Sequence, residues 1–181
     1  MSFAAELGKI KVLGGYVFVV VATGFAGAIL PEAFKALTGD TRRLPFAELL
    51  YNFAVFGLNG IFVDVFYRGL GKIFGEEPTV SNVTIKVLVD QLLGSPLLFT
   101  PYFLSMILLY KSGFSLAKLR MSLREEPFLR RIWPVLITSW AYWFPALIGV
   151  YAMPKDLQFV LFLFIEAAWS LLLIHIARGH D

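Results

Sequence analysis

Five long apolar segments constrain the fold of this chain more than any other feature. Each has about 20 residues, the length of a helix that crosses the hydrocarbon core of a bilayer. Lipid offers no partners to backbone groups, and the segments lack the alternation of membrane β-strands, so they predict helices. The first runs from about Ile10 to Leu30 and is predicted to stop at Pro31. The others run from about Ala47 to Tyr67, Ile85 to Tyr110, Trp133 to Met153 and Leu157 to Ala177.

The composition excludes an ordinary water-soluble fold. Of the 181 residues, 58% are hydrophobic and only 16% are charged, whereas a typical soluble domain has about 25% charged residues. A soluble domain cannot bury this much apolar surface and still present a polar exterior. We therefore predict an all-α integral membrane helical bundle that forms a single transmembrane domain over residues 1–181. It has about five spans, or four if the last two segments do not cross separately.

The residues needed for most enzyme chemistry are missing. There is no cysteine, so thiolate chemistry and Cys-based metal sites are excluded, and the only histidines are His175 and His180. No phosphate loop, dinucleotide fingerprint or nucleophile elbow occurs. The net charge of +3 comes without a basic stripe that would bind nucleic acid. We predict a non-enzymatic protein without catalytic or metal residues, without a nucleic-acid partner, and with bound lipids in place of a cofactor.

The connection at 111–131 is both amphipathic and basic. Leu116, Leu119 and Leu123 recur at helical spacing, which predicts a short helix lying at the membrane interface. The cationic residues assigned to this interfacial helix are Lys118, Arg120, Arg124, Arg130 and Arg131. In a five-span topology, ten of the 16 Lys and Arg residues lie on the same side of the membrane as this segment. That side is predicted to face the cytosol or its equivalent.

Polar side chains inside the apolar segments are the candidates for function, because such groups are costly in lipid. Glu166 lies near the middle of the fifth segment, with Ser170 one turn later on the same face. Asp90 and Gln91 lie in the third segment and Asn59 in the second. These residues predict either the polar lining of a pore or a sealed network between helices. The sequence leaves both alternatives open.

Two prolines and a charge pair distinguish the third segment. Lys86 lies four residues before Asp90, a spacing at which the two side chains can pair along one helix face. Pro96 and Pro101 each remove a backbone donor, so this segment is predicted to be kinked. The carbonyl groups that the prolines free need partners or water.

Small residues in the first segment predict close packing of another helix. They occur at four-residue spacing, which lets two helix backbones approach closely. The pairs are Ala22/Ala26, Thr23/Gly27 and Gly24/Ala28. The sequence does not say whether the partner helix belongs to this chain or to another copy.

Several short motifs, taken in chain order, resemble a known membrane protein family. The third segment reads Lys-x-x-x-Asp-Gln-x-x-x-x-Pro, formed by Lys86, Asp90, Gln91 and Pro96. This pattern resembles the signature of the Mpv-seventeen / 22-kDa peroxisomal membrane protein family. The further matching positions are Gly39, Asp40, Gly60, Tyr67, Trp133, Pro134, Pro145 and Trp169.

The chain departs from the family pattern mainly in its fourth and fifth segments. Ile61 stands where the family has a proline after the glycine. In the fourth segment, the polar or aromatic positions of the family are occupied by Ile137, Trp140 and Ala141. The polar interior of these segments therefore differs from that of the family, and Asp90 and Gln91 are the safest positions to carry over.

The resemblance implies a small non-enzymatic protein of the mitochondrial inner membrane, with peroxisomal, plastid and bacterial plasma membranes as alternatives. Some members of the family are proposed to form channels, so one predicted function is a pore or solute conduit. The alternative is a structural or accessory subunit of a larger membrane complex. The predicted partners are membrane lipids and either further copies of this chain, as a homo-oligomer, or the other subunits of such a complex.

Overall fold

The computed structural model describes residues 3–39 and 43–178, and the side chains of 13–39, 43–154 and 157–172. Two π-helical segments, Phe25–Ile29 and Asp90–Phe99, join α1 to α2 and α4 to α5. Because the described residues contain no strand, the predicted all-α fold is confirmed. The α-helices are α1 (Phe3–Gly24), α2 (Leu30–Leu37), α3 (Phe46–Phe74), α4 (Val80–Val89), α5 (Thr100–Lys111), α6 (Leu116–Glu125), α7 (Phe128–Ala152) and α8 (Lys155–Arg178).

Four helical stretches are long and apolar enough to cross a membrane. In α8, the apolar stretch found among the described residues is the shorter Leu157–Leu172. The chain is therefore an integral membrane helical bundle with at least four spans, the lower of the two predicted numbers. The fifth span stays a prediction. The four stretches are Leu13–Leu37, Phe46–Phe74, Val80–Lys111 and Phe128–Ala152.

The prediction that the first span stops at Pro31 is wrong. The helix continues to Leu37, because a π-helical turn, Phe25–Ile29, comes directly before the proline. In this turn the Leu30 N–H donates to the carbonyl of Phe25, five residues earlier. A π-turn adds one residue to the helical turn, which moves the carbonyl that the proline ring would otherwise meet.

The helices form two compact units. The first consists of Met1–Thr79 and Val150–Asp181, and the second of Val80–Gly149. In the first unit α1 packs against both α3 and α8. In the second unit α4, the π-helical segment and α5 follow one another as one continuous stretch, and α6 contacts α5. The single transmembrane domain inferred from composition stays a prediction.

The contact between α1 and α3 is close because glycines on both helices let the backbones approach. A Cβ atom added to Gly60 would lie only 2.2 Å from Thr23 Oγ1, so no larger residue fits without a shift. The earlier positions Val20 and Thr23 meet Gly57 and Gly60, whereas the later positions Gly24 and Gly27 meet the earlier α3 residues Phe53 and Phe56, so the two helices are antiparallel. The small residues of the first segment therefore meet a helix of the same chain. The four contacts are Gly24 with Phe53, Gly27 with Phe56, Gly57 with Val20 and Gly60 with Thr23.

The helix α8 runs parallel to α1. The rings of Phe18 and Phe159 lie 6.3 Å apart, and the π-turn and then α2 also pack against α8. Only four residues of α8 precede Phe159, so the contacts of the π-turn and α2 fall mainly beyond it, which gives the parallel orientation. Glu166 is seven residues beyond Phe159, just as Phe25 is seven residues beyond Phe18. Glu166 therefore lies level with the start of the π-turn.

Substitution of Gly60 by alanine is expected to destabilise the first unit. The new methyl group would meet Thr23, and overpacking of this kind costs about 1–3 kcal/mol. Gly69→Ala is the matched control on the same helix, because nothing lies within 4 Å of its added Cβ. Denaturant titration in detergent micelles measures both free energies of unfolding. Equal effects of the two substitutions would contradict the close contact of α1 and α3.

Candidate functional site

A cluster of polar side chains lies at the middle of the first unit. Thr23, Asn59 and Glu166 each fall near the centre of their helical stretch, and their exposed fractions are 1%, 4% and 2%. The antiparallel packing of α3 and the parallel packing of α8 on α1 bring these three positions to a similar depth. We call these residues, with the buried Ser170, the midplane cluster.

The two hydroxyl groups of the midplane cluster already donate within their own helices. Thr23 Oγ1 donates to the carbonyl of Val19 at 2.7 Å, and Ser170 Oγ donates to the carbonyl of Glu166 at 3.0 Å. A hydroxyl group has only one hydrogen to donate. Neither hydroxyl can therefore also donate to a carboxyl or amide oxygen of the cluster.

Two oxygens of the midplane cluster are left as acceptors. Asn59 Oδ1 and Glu166 Oε1 are buried and have no hydrogen-bond partner among the described residues. Leaving such a group unsatisfied costs about 1–3 kcal/mol, and buried oxygens of this kind are normally paired with protein or water. The cluster can therefore accept hydrogen bonds from water, or supply oxygen ligands to a small cation.

A second polar cluster lies in the second unit, where the π-helical segment begins. The polar residues of the third apolar segment are buried, namely Lys86, Asp90 and Gln91. Gln91 Nε2 donates to Asp90 Oδ1 at 3.1 Å, while Gln91 Oε1 has no partner among the described residues. The pairing of Lys86 with Asp90 stays a prediction.

The indole of Trp140 replaces a backbone donor that a proline removes. Pro96 follows Gln91 by five residues, which is the spacing of a π-helical hydrogen bond, and it has no N–H to donate. Trp140 Nε1 donates to the Gln91 carbonyl at 2.7 Å. In the sequence, Trp140 is a departure from the family pattern and carries no sign of this hydrogen bond. The proline predicted a carbonyl in need of a partner, but not which side chain would supply it.

Two ion pairs lie in the first unit, one with an exposed arginine and one buried. Arg68 Nε lies 2.8 Å from Asp64 Oδ2, and the guanidinium carbon lies 5.9 Å from the ring centre of Tyr16 on α1. Lys35 pairs with Glu32 within α2. Glu32 and Lys35 were not among the residues predicted from the sequence, although their spacing of three residues along a helix was the available signal. Both pairs belong to the packing of helices rather than to the midplane cluster.

The family-motif positions of the first unit have varied surroundings. Gly39 is exposed and adopts a left-handed conformation with φ of 76°, while Asp40 lies outside the described residues. Tyr67 packs against Tyr151 and Phe162, at ring-centre distances of 5.1 and 6.1 Å. These are packing roles, and Gly60, at the close contact of α1 and α3, has one as well.

The remaining motif positions divide into buried and exposed residues. Trp169 is buried in the first unit. In the second unit Pro96 is half-buried within the π-helical segment, whereas Trp133, Pro134 and Pro145 are exposed on α7. The exposed Trp133 lies five residues after the start of α7, which suits an anchor at the membrane interface.

The basic interfacial segment is divided between two helices, so the assignment of all five cations to one helix is wrong. Arg130 and Arg131 belong to the first turn of α7, because Pro127 follows α6 and holds Glu126 extended, with φ of −136° and ψ of 112°. The side chain of Arg131 binds back to Ser122 on α6. The exposed cations on α6 itself are Lys118, Arg120 and Arg124.

Comparisons with known proteins place no external constraint on this site. No protein-family model, no curated protein and no solved structure matches the chain. Within the part of the chain that the structure describes, no group of three or more His, Cys, Asp and Glu residues could hold a metal ion. The resemblance to the Mpv-seventeen family stays an interpretation of the motifs.

Replacing Trp140 with phenylalanine is expected to destabilise the second unit by about 1–3 kcal/mol, because the Gln91 carbonyl would lose its donor. The matched control is Trp133→Phe, at a side chain that is 56% exposed, and we expect a change below about 0.5 kcal/mol there. Free energies of unfolding in detergent check both values.

A double substitution tests the cause of this loss. Pro96→Ala returns a backbone N–H five residues after Gln91, so Trp140→Phe should cost less in that background. If the two substitutions change the free energy of unfolding additively, the indole does not replace the donor missing from the proline.

Proposed function

We propose that this chain is a small non-enzymatic integral membrane protein that conducts water and small cations through the midplane cluster. The observation that carries the proposal is the pair of buried acceptors, Asn59 Oδ1 and Glu166 Oε1, near the centres of α3 and α8. In a permanently dry core these unpaired oxygens would lower the free energy of unfolding. Water or a cation that passes between them satisfies both.

The chemistry of the cluster supports cations rather than anions. Its side chains offer hydroxyl, amide and carboxyl oxygens, which are the ligands that hard cations prefer. Once water in a conduit ionises Glu166, its negative charge would also raise the local concentration of cations. The resemblance to a family with proposed channels points to the same class of function.

The resemblance also supports the mitochondrial inner membrane as the location of the proposed protein. Fractionation of cells that express the natural protein distinguishes this location from a peroxisomal, plastid or bacterial plasma membrane. Conduction through the midplane cluster does not depend on which of these membranes holds the chain.

The test of the proposal is whether water reaches the midplane cluster. The sequence has no cysteine, so one introduced thiol reports on a single position. In reconstituted vesicles, a cationic water-soluble thiosulfonate is expected to modify Thr23→Cys about tenfold faster than Leu58→Cys, since only a hydrated thiol forms the reactive thiolate. Leu58 is the control because it lies on α3 beside Asn59, and its side chain is 49% exposed on the outer surface. Equally slow modification at both positions would exclude the conduit.

Asn59→Leu is expected to change stability and conduction in opposite directions. Removing the unpaired amide oxygen should raise the free energy of unfolding by about 1–3 kcal/mol. The same change removes an oxygen ligand, so cation flux into vesicles should fall. The matched control, Leu58→Ala, should leave the flux unchanged. A stabilised Asn59→Leu variant with full flux would contradict the assignment of this residue to the conduit.

The depth of burial favours a second candidate function, an accessory subunit of a larger membrane complex. Asp90, Gln91 and Glu166 are at most 3% exposed, as a sealed core requires. Purification in mild detergent, followed by mass spectrometry of the intact assembly, separates the two candidates. Stoichiometric association with other membrane subunits would favour the accessory function. A chain that migrates alone or as a homo-oligomer would favour the conduit.

A further inference from the structure

The packing of α6 fixes which of its faces points away from the protein. Leu119 and Leu123, together with Phe128, pack against a buried cluster formed by α5 and α7. The residues of that cluster are Leu104, Leu108 and Ile132. The outward face of α6 is the surface that this packing leaves uncovered. At 100° per residue, Leu116, Arg120 and Arg124 follow one another at 40° intervals along one flank of the packed face, and Met121 lies opposite that face. All four are exposed, as are Lys118 and Glu125 near Met121.

The arginines on this outward face have no partners within the described part of the chain. Neither Arg120 nor Arg124 forms an ion pair or a side-chain hydrogen bond there. Arg131, by contrast, is held by the Glu126 carboxylate at 3.3 Å and by the Ser122 carbonyl at 2.6 Å. The structure thus separates an arginine that fastens α7 to α6 from two that are free to bind something else.

Apolar side chains accompany the free arginines. Leu116 at the start of α6 is 72% exposed and Met121 is 58% exposed. Phe114, just before the helix, has a positive φ of 60° and is exposed as well. A bulky residue with positive φ is uncommon, and here the Phe114 N–H is held by the carbonyl of Leu109. The outward surface therefore combines two unpaired guanidinium groups with exposed hydrophobic side chains.

The neighbouring spans set the depth of α6. It lies between Lys111, where one candidate span ends, and Phe128, where the next begins. Its inner face contacts Leu104 and Ile132, which lie about 10 Å and 6 Å inside those ends at 1.5 Å per residue. An interfacial helix lies 5–10 Å into the boundary between headgroups and acyl chains. The contacts of α6 match that depth.

We infer that the outward face of α6 is a binding site for anionic phospholipids. Arg120 and Arg124 donate to the phosphate oxygens, since the guanidinium fork matches phosphate geometry. Leu116, Met121 and Phe114 enter the adjoining acyl region. A water-soluble ligand would not need three exposed apolar side chains beside its phosphate. This site is separate from the midplane cluster and does not depend on conduction.

The first experiment measures lipid binding to the full chain in a neutral detergent. Mass spectrometry of the intact protein counts bound phosphatidylglycerol, with phosphatidylcholine as the uncharged reference. Arg120→Gln/Arg124→Gln is expected to weaken phosphatidylglycerol binding about thirtyfold, the effect of two surface charges. The control, Lys111→Gln/Arg130→Gln, removes two charges from the same segment but none from this face, and should weaken binding less than about threefold. Equal losses would show diffuse attraction and overturn the site.

Two further measurements test whether the ligand is a soluble phosphate and whether α6 lies in water. A competing soluble phosphate, glycerol 3-phosphate, should not displace the lipid at millimolar concentration, and displacement would overturn the choice of a lipid. In vesicles, a nitroxide on Leu116→Cys should be accessible to oxygen but shielded from a polar nickel reagent. The same label on Lys118→Cys, about 160° away around the helix, should reach the nickel reagent more readily. Equal exposure of both labels to nickel would place α6 in water and contradict the inference. Unchanged unfolding midpoints verify that the variants are folded.

Discussion

The whole fold depends on the rule that a backbone polar group inside a bilayer must find its partner within the protein. The first and third spans each contain a proline that removes a donor, and both continue across it by means of a π-helical segment. At Pro31 the wider turn comes before the proline. At Pro96 the freed carbonyl of Gln91 accepts the indole N–H of Trp140. The helices therefore stay continuous across both prolines, including Pro31, where the first span was predicted to stop.

The same rule gives a different result for the side chains of the midplane cluster. The hydroxyls of Thr23 and Ser170 are used within their own helices, so Asn59 Oδ1 and Glu166 Oε1 keep no donor among the described residues. These two side chains keep acceptor capacity near the centres of their helices. This capacity is the physical basis for proposing that water and cations pass there.

Charge at the membrane surface is also divided by tertiary contacts. The basic segment appears uniform in sequence, but Arg131 is bound by α6 while Arg120 and Arg124 face outward. The division follows from Pro127, which ends one helix and lets the next begin. Leu119 and Leu123 then fix the orientation of α6 by packing on the ends of the spans. The cations left outside are those available to lipid headgroups.

The amino-acid sequence alone determined the helical membrane fold, the approximate spans, the amphipathic α6 and the small-residue face of α1, because these depend on local composition and periodicity. It also placed Asn59 and Glu166 among the candidate residues. It did not show that α3 is the partner of α1, that the first helix passes Pro31, or that Trp140 serves a residue 49 positions earlier. It also could not show that Thr23, Asn59 and Glu166 share one depth. These features arise from contacts between segments far apart in the chain, and no local pattern encodes their register.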